Sequence, residues 1–307
     1  MRVAVVDIGT NSTRLLVADV ADGQVSQLER RSTVTRLGRG VDTSGQLAGE
    51  AVEEVCRTVA EYIETYESLG AERVNAIATS AVRDAANSGA FIAELRERFE
   101  LDARILDGAE EAQLVYLGAF AERPAAPNST LVVDIGGGST ELVVGSGGEV
   151  GFYTSLQAGT VRHTERYLRT DPPDPGELEA LASDVRSLID AELTGEAIAA
   201  ASEGIAVAGT PTSLAAIDQE LDPYDPDRVH GYRLPFDSIQ RMCSLLSSMA
   251  LEERLQVTRL HPGRAPTIVA GVVILIQVMR AFGLKEIEVS EHDILHGAAL
   301  EAARAPA

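Results

Sequence analysis

Two short segments of this chain carry residue types that could do chemistry at a matched spacing. They are Asp7-Ile8-Gly9-Thr10-Asn11-Ser12 and Asp134-Ile135-Gly136-Gly137-Gly138-Ser139-Thr140-Glu141. In each, an apolar β-branched run ends in Asp, passes through a Gly/Ser/Thr turn and enters a second β-branched run. That pattern is a β-hairpin. Glycine in the turn lets the backbone approach a ligand closely and aim successive N–H groups at one point, a nest suited to phosphate. An Asp at the end of the first strand can hold a hydrated divalent cation beside that phosphate. One copy alone would be read as a plain tight turn. Two matched copies, each with the Asp in place, point to a site.

The match extends beyond the turns. Residues 5–18 (VVDIGTNSTRLLVA) and 132–145 (VVDIGGGSTELVVG) share nine of fourteen positions at an offset of 127 residues. That offset is close to one domain length, so the chain reads as a duplication. The elements that must position the two hairpins alternate in type. Helices are predicted over 46–70, 88–99 and 109–121, and strands over 74–80 and 103–106, followed by a Pro-rich connector at 123–129. After the second hairpin come a strand at 149–156, helices at 159–168 and 175–194, a strand at 204–209 and a helix at 212–219. Helices at 236–247, 250–256 and 265–282, a strand at 286–290 and a last helix at 293–304 complete the pattern. The stripe Val52, Val55, Val59, Tyr62 and Ile63 gives the first long helix an apolar face. Alternating strands and helices indicate α/β layers, whose ligands lie at the strand ends.

Composition narrows the function classes. The 307 residues carry 47 acidic against 26 basic side chains, a net charge of −21. A generic nucleic-acid binder needs a basic face, so that class is excluded. Docking on an anionic membrane is disfavoured for the same reason. A small or linear phosphate ligand is compatible, provided the site supplies its own positive potential. All basic residues but Lys285 are Arg. Cys56 and Cys243 make no disulfide framework, and MRVAVVDIG opens as a strand rather than a signal peptide, so a cytoplasmic location is expected. The longest apolar run, residues 268–279, is too short to span a bilayer, which takes about 17 residues or more.

The paired Asp-Ile-Gly hairpins resemble the phosphate loops of the actin, Hsp70 and sugar-kinase superfamily. Within it, the detail resembles the exopolyphosphatase and guanosine pentaphosphate phosphohydrolase family. The first loop matches D-x-G-[ST]-N-S. Ala78-Thr79-Ser80-Ala81-Val82-Arg83 with Asn87 is similar to the block A-T-x-A-x-R…N. Leu106-Asp107-Gly108-Ala109-Glu110-Glu111-Ala112 resembles S-G-x-E-E-A with Asp107 in place of Ser, and the second loop matches without departure. Gly159 with Val161-Arg162, Gly209-Thr210, His230-Gly231 and Arg264 are further matches. The closing block, often Leu-Arg-Glu-Gly, is here Ile294-Leu295-His296-Gly297. The resemblance covers the whole chain. It implies a short form without the helical region of long members. It also implies an α/β fold of two duplicated ribonuclease H-like (actin-like ATPase) domains with a cleft between them. Residues 1–124, completed by the helix 293–307, would form the first domain and 125–292 the second.

The activity so implied is release of orthophosphate from the end of linear polyphosphate, preferentially short chains. The resemblance places the general base at Glu111, with Glu110 the alternative if the register is off by one. Gly9, Thr10, Asn11, Ser12, Gly136, Gly137, Gly138, Ser139 and Thr140 would cradle phosphate, and Arg14, Arg83 and Arg264 would pair with phosphate oxygens. Asp134 and Glu141, then Asp7, would hold Mg²⁺, with Mn²⁺ as a substitute. Alternatives are a guanosine pentaphosphate phosphohydrolase, a kinase of the wider superfamily, and a non-catalytic sensor that closes on polyphosphate or an alarmone. A homodimer is expected from the resemblance alone. His292 and His296, spaced as on one helical face, lack the Glu of a zinc motif. The Asp-rich loop 222–227 reads as turns.

Overall fold

The computed structural model describes residues 1–121, 123 and 129–304. Most of the Pro-rich connector expected at 123–129 lies outside the described residues. The chain forms two compact units, one of Met1–Arg123 with Asp293–Ala307 and one of Pro124–His292.

The first unit holds a five-stranded sheet. Its strands are β1 (Arg2–Ile8), β2 (Thr13–Ala21), β3 (Gln24–Thr33), β4 (Arg73–Ala78) and β5 (Ala103–Ile105), in the order β3-β2-β1-β4-β5. β1–β3 form an antiparallel meander, and β4 and β5 add parallel strands. The helix Gly49–Ser68 lays Val55, Val59, Tyr62 and Tyr66 on this sheet's core. The Tyr62 hydroxyl donates to the Thr13 carbonyl at 2.9 Å, which suits a buried Tyr that carries a polar tip.

The second unit holds β6 (Ser129–Ile135), β7 (Thr140–Ser146), β8 (Glu149–Leu156), β9 (Ala201–Val207), β10 (Arg233–Pro235) and β11 (Glu286–Val289), ordered β10-β11-β9-β6-β7-β8. From β8 inward the order is again meander then parallel strands, β8-β7-β6-β9-β11, with β10 added antiparallel at the edge. The duplication is therefore topological as well as sequential, and both sheets have the ribonuclease H-like order of actin-like ATPase domains. The apolar run at 268–279 is the buried helix Ile268–Ala281, packed in the core of this unit. No helix among the described residues is long and apolar enough to cross a membrane.

Two strands escape the periodicity argument. β3 (QVSQLERRST) exposes most of its side chains, so it lacks the apolar alternation that marks a half-buried strand. β10 is only three residues long. Both are edge strands. A short helix, Gly195–Ala200, also precedes β9, which starts earlier than residue 204.

Candidate active site

In the first unit the register pairs Asp7 with Arg14 across the hairpin, so both side chains emerge on one face. The turn closes with the Gly9 amide donating to the Ser12 carbonyl at 3.0 Å. A Cβ on Gly9 would sit 2.9 Å from that carbonyl oxygen, which explains the glycine. The loop is pinned from both sides. Arg36 and Gly38 amides donate to the carbonyls of Asn11 and Thr10, and the Ala81 amide donates to Thr10 Oγ1 at 3.1 Å. The amides of Thr10 and Asn11 meet no protein acceptor among the described residues, as a phosphate nest requires.

The second hairpin repeats this plan. The Gly136 amide donates to the Ser139 carbonyl at 3.0 Å, and Asp134 pairs in register with Glu141. The helix Thr160–Tyr167 grips the loop from behind: Thr160 donates to the Gly136 carbonyl, and Val161 and Arg162 to that of Gly137. Arg162 Nε donates to the Gly138 carbonyl at 2.7 Å. A Cβ on Gly159 would fall 2.4 Å from the Gly137 carbonyl carbon, so only glycine permits this contact. Thr140 Oγ1 donates to the Ala158 carbonyl. With their carbonyls turned back to the helix, Gly137 and Gly138 keep amides that meet no protein acceptor among the described residues. Arg162, one of the positions that match the family's blocks, thus holds the loop from behind.

The two copies differ at one decisive position. Where the first hairpin has Arg14 opposite Asp7, the second has Glu141 opposite Asp134. Asp134 and Glu141 are both buried, and Ser155 Oγ donates to Glu141 Oε1 at 2.8 Å. Two buried carboxylates on one sheet face are a hard, oxygen-only donor set that fits Mg²⁺. Asp7, by contrast, already has a cation. Its Oδ2 accepts from Arg14 Nε at 2.8 Å and Nη2 at 2.6 Å, while its buried Oδ1 has no partner among the described residues. Burial pushes the Asp7 carboxyl above its ordinary value, against the pull of Arg14.

Arg14 is correspondingly committed. Its Nη1 donates to Asp293 Oδ2 at 2.5 Å, so three of its nitrogens serve carboxylates. The structure places the guanidinium of Arg14, expected from the resemblance to pair with phosphate, between Asp7 and Asp293. Asp293 also accepts from Arg30 Nη2 at 3.2 Å and, through Oδ1, from the Leu295 amide at 3.0 Å. Burial alone would raise the Asp293 carboxyl, but Arg14, Arg30 and His296 outweigh it and hold it well below the usual carboxylate range.

Glu111 lies in the first turn of the helix Gly108–Phe120. Asp107 caps that helix, its Oδ1 accepting from the amides of Ala109 and Glu110 at 2.9 Å, and Glu110 Oε2 returns to the Asp107 amide at 3.0 Å. This capping box gives a physical reason for the Asp that replaces the family's Ser, since both are good N-caps. It also occupies Glu110, which pairs on its other side with Arg104. Glu111 instead turns inward and is 7% exposed. Its Oε2 accepts from Arg83 Nη1 at 2.9 Å, and the same Nη1 donates to the Leu106 carbonyl. Burial pushes the Glu111 carboxyl up to about 6, partly offset by Arg83. A buried carboxylate near neutrality is a suitable general base.

Arg264 stands in the second unit over Gly209, where a Cβ would lie 2.0 Å from its Nη1. Its Nη1 donates to Thr212 Oγ1 at 3.3 Å. Gly209 follows β9, whose Val207 pairs in register with Asp134. The intervening Ala208 has φ 69°, a conformation that favours glycine and costs another residue ~1–3 kcal/mol. Asp225 caps the turn Pro226–Val229. His292 precedes the helix Ile294–Arg304 and packs against His230 with tilted rings whose centroids lie 4.4 Å apart, so it and His296 are not successive turns of one helix.

The sequence matches the profile of the Ppx/GppA phosphatase family over residues 16–304. It is 38% identical to Exopolyphosphatase 2 of Mycobacterium tuberculosis, over 98% of both chains. Among solved structures, an exopolyphosphatase-like protein superposes with a TM-score of 0.93 at 32% identity, covering 98% of this chain and 97% of the other. The Aquifex aeolicus member of the Ppx/GppA family gives 0.83 at 30% identity, covering 99% and 97%. Sequence blocks, duplicated sheets and buried acids thus lead to one assignment: the chain belongs to the Ppx/GppA phosphatase family.

Proposed function

We propose that this protein is an exopolyphosphatase that hydrolyses the terminal phosphoanhydride of linear polyphosphate and releases orthophosphate. The observation that carries the substrate is the 38% identity, over 98% of both chains, to an exopolyphosphatase. The chemistry is supported by the site. Glu111, buried and near neutrality, takes the proton from the attacking water. Arg83, which donates to Glu111, would also pair with a phosphate oxygen. The amides of Thr10, Asn11, Gly137 and Gly138 bind phosphate oxygens without adding side-chain charge. Asp134 and Glu141 would hold Mg²⁺ or Mn²⁺, which supplies charge neutralisation and polarises the phosphoryl group. Phosphoryl transfer asks for positioning and charge stabilisation, and these residues supply both. A homodimer in the cytoplasm, acting on neither nucleic acid nor membrane, completes the reading.

The test is a substrate panel: tripolyphosphate, long-chain polyphosphate, guanosine pentaphosphate and ATP, each with Mg²⁺ and with EDTA. The proposal expects metal-dependent orthophosphate release, fastest from polyphosphate. Release mainly from guanosine pentaphosphate would reassign the substrate, and ADP formation with transfer to an acceptor would make the protein a kinase. Tight polyphosphate binding without any release would leave the sensor.

A further inference from the structure

We propose that Asp293 is a positioning residue of this reaction: its carboxylate holds Arg14 on Asp7, and its carbonyl seats the helix that carries Glu111. The activity readout rests on the exopolyphosphatase reading, whereas the geometric readout does not.

The side chain comes first. Asp293 is 1% exposed and is the hub of an alternating chain of charges, Arg30–Asp293–Arg14–Asp7. One edge of the Arg14 guanidinium, Nε with Nη2, faces Asp7 Oδ2, and Nη1 faces Asp293 Oδ2. With Asp293 in place, Arg14 is fixed between two anions, and Asp7 is fixed two residues before Gly9 of the phosphate loop. The main chain comes second. The Asp293 carbonyl accepts from the amides of His296 and Gly297, and it lies where a Cβ on Gly118 would be, 1.9 Å away. Gly118 is about two turns along the same helix from Glu111. Asp7 and Arg14 in turn act electrostatically on Glu111, in opposite senses. One residue therefore ties the hairpin bearing the loop to the helix bearing the base.

The test uses Asp293→Asn, which keeps the shape and removes the charge that two arginines share. Arg14 and Arg30 then face each other across residue 293 without the carboxylate they share. The expected result is a fall in kcat on tripolyphosphate of about tenfold or more with KM within about threefold. A crystal structure of the variant should show Arg14 Nη2 withdrawn from Asp7. Adding Arg30→Gln removes one of the two cations that the carboxylate had held together, and the double variant is expected to regain about threefold or more of the lost kcat. A double variant no more active than Asp293→Asn would mean a merely structural role and overturns the proposal. So does a single variant with wild-type kcat, or one whose crystal structure keeps Arg14 on Asp7 at the native distances. A wild-type protein that releases no phosphate would instead sink the exopolyphosphatase reading. The Arg14–Asp7 distance in the variant would then decide the role of Asp293 by itself.

Discussion

Glu111 and its neighbour Glu110 show how one turn of helix separates two identical side chains into different roles. Glu110 closes a capping box and faces Arg104, whereas Glu111 is buried against Arg83. The pH behaviour of the free enzyme follows. Glu111 must be deprotonated to accept a proton, so kcat/KM should fall below a limb at about 6. Arg83 holds that value down, so Arg83→Gln should move the limb upward by about 1–3 pH units. A pH–rate profile of wild type and variant checks both, and a limb that stays in place contradicts the pairing. The linkage to stability has the opposite sense to an ordinary ion-paired carboxylate. Because the folded value lies above the ordinary 4.5, the stabilising contribution of Glu111 is complete below 4.5 and is lost as the pH rises through about 6.

At the scale of elements, the helix that carries Glu111 owes its position to a glycine crossing. A Cβ on Gly118 would meet the Asp293 carbonyl at 1.9 Å, and one on Gly297 would meet the Leu114 carbonyl at 1.9 Å. Neither neighbour is a side chain that can swing away. Gly297→Ala should therefore cost about 1–3 kcal/mol, seen as a lower midpoint in urea unfolding, and should lower kcat by shifting Glu111. A variant as stable and as active as wild type would show that the crossing has slack. This level of structure was partly legible beforehand. The two hairpins and the helix Ile268–Ala281 follow from continuous apolar runs bounded by turn residues, which match their nearly unbroken burial, and the helix Gly108–Phe120 follows from its capped, apolar sequence. β3 was not legible, since an exposed edge strand needs no such stripe. The roles of Arg14 and Asp293 were not legible either. They depend on a contact 279 residues apart in sequence, which the local pattern around Arg14 does not announce.

At the scale of the whole molecule, a protein of net charge −21 is proposed to bind a polyanion. The duplication makes this workable by giving its two hairpins opposite electrostatic tasks. At the first, Arg14 with the neighbouring Arg30 balances Asp7 and Asp293, and in the second Asp134 and Glu141 form a buried acid pair that is proposed to hold a divalent cation. The overall field still repels the substrate at a distance. Salt screens that repulsion over about 8 Å at physiological ionic strength, so kcat/KM for polyphosphate should rise as an inert monovalent salt is increased from low concentration. A steady fall over that range would mean that attraction, not repulsion, governs encounter.

The central claim is that Glu111 activates the water. Orthophosphate release from tripolyphosphate with Mg²⁺, measured for wild type, Glu111→Gln and Glu110→Gln at equal folded concentration, tests it most directly. Glu111→Gln should lose about 10²–10⁴-fold in kcat, while Glu110→Gln stays within about threefold. A Glu111→Gln variant that retains most of the wild-type kcat, or a Glu110→Gln variant that loses it, would contradict the account.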